Sequence, residues 1–319
     1  MSDTLVVEVA DVVQEASGIR SLRLRQLDGA PFAPFRAGAH IDVTGPTGLL
    51  RQYSLASDPA DLSSILIAVK LEESSRGGSA ALHEVAVGDQ LEISTPRNLL
   101  AIAEDADRHL LVAGGIGVTP LLSMAYELHS RGAAFEFHYF VRSRDALAFA
   151  DLLENRAEFR DRVILHVGKP RTEHVEVLAP LASTLTSDSH VYTCGPDGFM
   201  DQVSGVLAAN VGAGHVHIEH FTGEDVDTSR DQAFTVELTT GEVFEIPPGR
   251  SVLSVLEENG IEVFKSCQQG ICGSCVSGVV EGVADHRDTC LSATDRESGK
   301  EIALCVSRAL SDKLVIELY

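Results

Sequence analysis

Hydrophobic and polar residues change their rhythm twice along the chain. Up to about residue 100 the apolar positions fall in short, β-rich runs at 5–13, 21–26, 40–43, 51–56, 65–69 and 90–94. Gly18, Asp28-Gly29, Gly45-Pro46, Asp58-Pro59 and Gly88-Asp89 punctuate them. Short strands at that spacing predict a small antiparallel barrel or sandwich. From about 105 to 221 strand-like runs at 110–113, 135–141, 163–167, 190–193 and 216–218 alternate with helical stretches, the last over 198–210. The first of these helices has Thr119 as its expected N-cap, Pro120 at its first turn and Gly132 past its end. Repeated strand–helix units predict a parallel sheet covered on both faces.

Residues 223–232 (GEDVDTSRDQ) are polar and acidic and read as an exposed linker. Beyond them the pattern predicts a hairpin over 234–238 and 243–246, a helix over 251–259 closed by Gly260, a cysteine-bearing loop and a last strand over 313–318. The boundaries expected are therefore 1–103, 104–222, a linker at 223–232, and 233–319.

Composition narrows the possibilities. The 319 residues are 44% hydrophobic and 23% charged, with mean hydropathy +0.08, as in an ordinary globular protein. Lys and Arg total 25 against 47 Asp and Glu, for a net charge of -22. A phosphate backbone or an anionic lipid surface needs the opposite sign, so nucleic acid and membrane are not expected partners. No run approaches the ~20 apolar residues that cross a bilayer. The opening MSDTLVVEVADVVQE carries acids inside its apolar run and no basic start, so a cytoplasmic location is expected. Six cysteines in such a chain do not make a disulfide scaffold.

Their placement carries chemistry. Cys267-x4-Cys272-x2-Cys275, with Cys305 further on, is the ligand spacing of a plant-type [2Fe–2S] cluster. Three thiolates must converge from one loop, and Gly270, Gly273 and Ser274 suit a chain that wraps tightly and brings N–H groups to sulfur. Structural zinc is disfavoured because its ligands come as two short pairs. Cys290 and Cys305 compete for the fourth place. Cys305 follows the apolar run 302–304, which can hold a ligand rigidly, and is preferred; Cys290 lies in a polar loop and reads as a bystander.

Two strand ends in the middle block are glycine-rich. Gly114-Gly115-Ile116-Gly117 and Cys194-Gly195-Pro196 each run into a helix, and in a parallel sheet both open on the carboxyl edge where ligands bind. Cys194 is read as a small contact beside that crevice, not a nucleophile. Arg51 and Tyr53 alternate onto one strand face, where a cation grips phosphate and a ring lies against a planar cofactor. Arg76-Gly77-Gly78-Ser79 reads as a second phosphate turn. Arg142-Ser143-Arg144 sits where an arginine could hold a 2′-phosphate. His215, His217 and His220 lack a matching ligand set and read as solvated or core histidines.

Taken together, RQYSL, RGGS, GGIGVTP, YTCGPDGFM and the cysteine spacing resemble, in order and over the whole chain, the phthalate dioxygenase reductase and vanillate demethylase reductase type. The resemblance implies a multidomain fold: an antiparallel β-barrel flavin domain, an α/β parallel-sheet NAD domain and an α+β β-grasp ferredoxin domain. It implies FMN, NADH and a [2Fe–2S] cluster, and electron delivery to a Rieske-type non-haem iron oxygenase. A flavin exchanges electrons in pairs with NADH and singly with iron, so its place is between them. By the same resemblance Arg51 binds the FMN phosphate, Tyr53 and Ser54 line the ring, and Ala68, Val69 and Lys70 continue that wall. Gly77, Gly78 and Ser79 complete the phosphate cradle. Gly115, Gly117, Val118, Thr119, Cys194, Gly195 and Pro196 face the nucleotide, with Arg142 near its ribose and NADH preferred over NADPH. The segment Glu219-His220-Phe221 places an aromatic near the flavin. Ser54, Cys194 and Phe221 are the catalytic candidates, and Cys267, Cys272, Cys275 and Cys305 the iron ligands.

Two rivals remain open at this level. One is a reductase for a cytochrome P450 or another monooxygenase; the other is a non-catalytic redox or metal-binding protein. A monomer that docks transiently on its acceptor is expected. Residues 231–319 hold 15 Asp and Glu against 7 Lys and Arg, which favours a basic docking patch on that acceptor.

Overall fold

The short β-rich runs of the first block form one antiparallel sheet: β1 (Thr4–Ala16), β2 (Ile19–Gln26), β3 (Ala39–Thr44), β4 (Leu50–Ser54), β5 (Ile65–Lys70), then after α1 (Gly78–His83) β6 (Gln90–Ser94) and β7 (Arg97–Asn98). The order is β4-β3-β6-β1-β2-β5, with β7 on β3. Past β4 the Ala56 N–H donates to the Leu66 carbonyl at 2.8 Å, closing the sheet towards β5 as a barrel. The computed structural model describes residues 4–72, 77–223 and 226–319; Arg76 of the expected phosphate turn and Glu224 and Asp225 of the expected linker lie outside them. β1 outruns its apolar core because shifts at Val9/Asp11 and Gln14/Ala16 let it bend around the barrel. Val7, Val9, Leu22, Leu24, Ile41, Val43, Ile65 and Ile67 fill the interior.

The second block is a five-stranded parallel sheet, β10-β9-β8-β11-β12. Its elements are β8 (Arg108–Gly114), α2 (Val118–Ser130), β9 (Phe135–Val141), α3 (Ala150–Asn155), β10 (Val163–Val167), α4 (His174–Ala182), β11 (Ser189–Cys194), α5 (Asp197–Val211) and β12 (Val216–Glu219). Thr119 does not cap α2. A 3-10 turn, Gly115–Gly117, leads into the helix at Val118, and the Thr119 hydroxyl donates back to the Ile116 carbonyl at 3.1 Å. Ala37, Ala56, Leu66 and Ala68 of the barrel share one buried cluster with Leu121, Met124 and Ala125 of α2. Barrel and parallel sheet therefore belong to one compact unit ending at Glu219, and His220–Tyr319 form the other.

That second unit carries β13 (Phe234–Leu238), β14 (Val243–Ile246), α6 (Val252–Glu258), β15 (Val276–Glu281), β16 (Ala284–Asp285), α7 (Ala293–Ser298), β17 (Glu301–Ala303), β18 (Arg308–Ala309) and β19 (Lys313–Glu317). The sheet order is β14-β13-β19-β15-β17, with β19 parallel to β13 at its centre. Ser251 caps α6, its hydroxyl accepting the Ser254 N–H at 3.1 Å. Val236, Ile246, Val252, Leu256, Ile302, Leu314 and Ile316 are its core, and the whole is a β-grasp unit. Within the expected exposed linker one side chain is enclosed. Asp231 is enclosed between Arg287 at 2.8 Å and Arg308 at 3.3 Å, and Arg308 also donates to the Gln232 carbonyl. Burying that carboxylate is tolerable only because two guanidiniums meet it. Among the described residues no helix is long and apolar enough to cross a membrane.

Candidate functional site

Arg51 stands on β4, its side chain folded over the turn that opens α1. A Cβ on Gly78 would come within 3.3 Å of Arg51 Cγ and 3.6 Å of Nε, so the glycine is what lets the guanidinium lie against the turn. Gly77 has φ 97, a left-handed angle that glycine adopts without strain, and the space above it is open. Ser79 accepts the Glu72 N–H at 3.1 Å. Tyr53 packs partly on the barrel core beside Arg51, and burial pushes its phenol up to about 12. The expected wall of Ala68, Val69 and Lys70 is not a continuous side-chain surface. Ala68 and Val69 are buried in different core clusters, the Val69 carbonyl accepts from His83 Nε2, and only Lys70 reaches solvent, paired to Glu72 at 2.6 Å. Alternation along the strand explains the split.

The two glycine-rich turns pack on each other. A Cβ on Gly117 would lie 2.2 Å from the Cys194 carbonyl oxygen, and one on Gly195 would lie 3.0 Å from Gly114 Cα. Phe199 of α5 wedges beneath both, 2.8 Å from a Cβ on Gly114. Gly117 and Gly195 are thus required first by this backbone contact. Gly115 differs: its φ is 57 and nothing lies within 4 Å of its missing side chain, so it presents open backbone. Thr119 is buried and Pro196 is the N-cap residue of α5. Arg142 is exposed at the end of β9, whereas Arg144 is held by both Glu154 oxygens and is committed to that pair.

Ser54, at the end of β4, meets residues 165 positions away. Its hydroxyl donates to both carboxyl oxygens of Glu219 at 3.2 Å. Glu219 is the last residue of β12 and pairs in register with Cys194 of β11. Part of the Glu219 chain is exposed, but its carboxyl end is turned in against buried Ser54 and buried Cys194. Loss of water pushes that carboxyl up to about 8, only partly offset by the Ser54 hydroxyl. Burial first, and then Glu219, push the Cys194 thiol up as well, so it is no nucleophile. Sequence reading picked out Ser54 and Cys194 but not the carboxyl joining them; the pointer was an acidic residue ending an otherwise apolar and histidine-rich strand. Phe221 is half-buried within the C-terminal unit. His215 and His217 stack with His190 and Tyr192 across the sheet, His190 Nδ1 lying 2.8 Å from His217 Nε2, a packed ring ladder.

In the C-terminal unit the loop from Cys267 to Cys275 turns through left-handed angles at Gln268 (φ 57), Gly270 (φ 75) and Gly273 (φ 69). It brings four thiols together as two contacting pairs, Cys267 with Cys272 and Cys275 with Cys305. The S–H of Cys267 lowers the Cys272 thiol, and that of Cys305 lowers Cys275. Backbone donors surround them: Gln269 N–H to Cys267 at 3.3 Å, Ser274 N–H to Cys272 at 3.4 Å, and Gly270 N–H to Cys305. Among the described residues no three His, Cys, Asp or Glu side chains stand ready around a single ion; the thiols are drawn together in pairs. Cys290 is apart, its thiol 3.4 Å from Asp288 Oδ2.

Comparison with known proteins agrees with this arrangement. The 2Fe-2S iron-sulfur cluster binding domain matches residues 236–310. The vanillate O-demethylase oxidoreductase of Pseudomonas putida is 41% identical over 322 residues, covering 100% of both chains. The chain belongs to the phthalate dioxygenase reductase family. Members of that family share this chain's order of modules: the solved phthalate dioxygenase reductase, described as a modular structure for electron transfer from pyridine nucleotides to [2Fe–2S], is 37% identical with a TM-score of 0.72 over 99% of this chain and 98% of its own. An intact type IV self-sufficient cytochrome P450 monooxygenase matches 98% of this chain with a TM-score of 0.88 and 35% identity, over 41% of its own length. Oxidoreductase NdmD of Pseudomonas putida is 39% identical, and this chain spans 53% of it. This family member is an NADH-dependent flavin iron–sulfur oxidoreductase with FMN and a [2Fe–2S] cluster, an electron-transfer reductase for an oxygenase. Its own residues fit those groups: an arginine folded on an open glycine turn for a phosphate, bare backbone at Gly115 for a nucleotide, and four thiols ringed by N–H donors for iron.

Proposed function

We propose that the chain is the reductase component of a Rieske-type non-haem iron oxygenase, a demethylase or ring hydroxylase, and carries electrons from NADH through FMN and the cluster. The observation that carries the reading is the pairing of Cys267 with Cys272 and of Cys275 with Cys305, each pair suited to one iron of a two-iron cluster. The end-to-end likeness to a vanillate O-demethylase oxidoreductase favours the Rieske acceptor. On this reading residues 1–103 hold FMN, 104–222 hold NADH, 233–319 hold the cluster, and 223–232 join them. The bound groups supply the redox chemistry: NADH a hydride, FMN the exchange between paired and single electrons, the cluster a one-electron outlet.

The chain's residues place and shield those groups. Arg51, with Gly77, Gly78 and Ser79, grips the FMN phosphate, and Tyr53 offers its ring to the flavin. Gly115 lets the nucleotide pyrophosphate approach the start of α2, and Gly117 and Gly195 keep the two turns in contact. Ser54 and Glu219 hold a proton between the Ser54 Oγ and the Glu219 carboxyl, beside Cys194. No ion pair is needed there, because burial keeps the carboxyl neutral near pH 7. The protein acts as a monomer that docks transiently, in the cytoplasm.

A cytochrome P450 acceptor is the second reading, favoured by the TM-score of 0.88 to the self-sufficient enzyme. The test reconstitutes the holoprotein with a Rieske oxygenase and, separately, with a P450, and measures product formed per NADH. Coupled turnover with the Rieske oxygenase alone supports the proposal; coupling only to the P450 overturns it. Cys272→Ser is expected to abolish delivery to the oxygenase while NADH-driven reduction of a small dye continues through the flavin. Loss of both activities would sink that order of carriers.

A further inference from the structure

Asp288 has no part in the relay as described, yet it is the most enclosed carboxylate near the cysteine loop. Its side chain has no exposed surface. Oδ1 accepts from the Ser307 hydroxyl at 2.9 Å; Oδ2 accepts from the Leu291 N–H at 3.0 Å and from the Cys290 thiol at 3.4 Å. Arg296 donates to the Asp288 carbonyl and stands 3.9 Å from Oδ2, and His286 Nδ1 is 3.6 Å from Oδ1. The residues that follow, Thr289 and Cys290, both donate their N–H to the Gly270 carbonyl, at 2.9 and 3.1 Å. Gly270 in turn directs its own N–H to the sulfur of Cys305, and a Cβ on it would lie 3.0 Å from Asp288 Cα. Ser307 is two residues beyond Cys305.

We propose that Asp288 is a positioning residue of the iron–sulfur site: it clamps segment 288–291 on Gly270 and, as a buried charge one peptide away from the ligand loop, sets the cluster's reduction potential. The inference rests on the relay reading of the preceding section. Outer partners of metal ligands orient them and tune the metal, and the potential of an iron–sulfur centre follows net charge and hydrogen bonds to sulfur. A fixed negative charge disfavours adding an electron to the cluster. Its removal also takes away the carboxylate charge 3.9 Å from the Arg296 cation, which keeps its bond to the Asp288 carbonyl, and this acts in the same direction. Weakening of the Gly270 N–H contact acts oppositely, but as one N–H among several around the sulfurs. The charge therefore decides the sign. The Cys290 thiol is accounted for as a donor to this carboxylate, neither a ligand nor a reactive group.

The test is a redox titration of the holoprotein followed by the EPR signal of the reduced cluster. Asp288→Asn is expected to shift the one-electron equilibrium roughly tenfold towards the reduced cluster, a midpoint about 59 mV less negative. Ser307→Ala keeps the charge but removes a donor that compensates it, so its midpoint is expected to move the other way, by less. One-electron equilibria for both variants within twofold of the parent, or both midpoints moving together, overturn the proposal. Should Asp288→Asn fail to retain its cluster, Ser307→Ala decides alone: a more negative midpoint supports the proposal and an unchanged one overturns it. A parent protein with no reducible cluster signal would instead sink the relay reading, and this inference with it.

Discussion

Glu219 holds the most displaced carboxyl of the flavin–nucleotide unit, and its titration has a readable consequence. Raised to about 8 by burial, it keeps its proton in the folded protein while an unfolded chain has already lost it. A carboxyl raised in this way contributes stability that is present below the ordinary carboxylate range and lost as pH climbs towards about 8. Glu219→Gln removes that dependence. Its Tm relative to the parent is therefore expected to rise steadily from pH 5 to pH 8; a constant difference across that range would show that the carboxyl is not desolvated. At this scale the sequence was partly legible. Ser54 and Cys194 were named from motifs, but their joining group lies 165 residues from Ser54, and no local pattern encodes such a meeting. The structure sets Cys305 against Cys275 and Cys290 against Asp288, a division that follows the apolar run before Cys305 and the polar loop around Cys290.

Among the elements, the paired strand-to-helix turns show why a glycine motif alone is ambiguous. Gly115 and Gly117 look equivalent in GGIGVTP, yet one opens on free space and the other touches the Cys194 carbonyl. Gly117→Ala must separate two backbones and is expected to destabilise by several kcal/mol, beyond the ~1–3 kcal/mol usual for overpacking by side chains. Gly115→Ala meets no atom and bears only the strain of a left-handed angle, about 1 kcal/mol. Urea unfolding of the two variants checks the ranking, and equal losses would refute it. The strand and helix periods were largely visible, since alternation and 3.6-residue spacing are local. The short elements β15 and α7 were not, because the cysteine loop and the polar stretch after it interrupt the pattern, and they are specified by the pairing of β15 with β17 and β19 and by the capping box at Ser292.

For the whole molecule, the charge of -22 governs encounters. With 15 acidic and 7 basic residues in 231–319, turnover with the oxygenase is expected to fall several-fold as salt rises from ~50 to ~500 mM, because screening shortens the range of steering. NADH oxidation with a small dye acceptor should change little over the same range, and equal sensitivity of both would remove electrostatic docking from the account.

The order of strand-rich and strand–helix blocks and the spacing of the four candidate cysteines were determined by the sequence alone, while FMN and NADH followed from the family resemblance. Order and spacing each rest on residues close together in the chain, where backbone geometry leaves few alternatives. Only the tertiary structure decided which side chains meet across long separations: Ser54 with Glu219, Gly117 with Cys194, Asp231 with Arg287 and Arg308, and Asp288 under Gly270. Those meetings depend on packing and on the loss of water, which are properties of the folded volume and not of any stretch of chain.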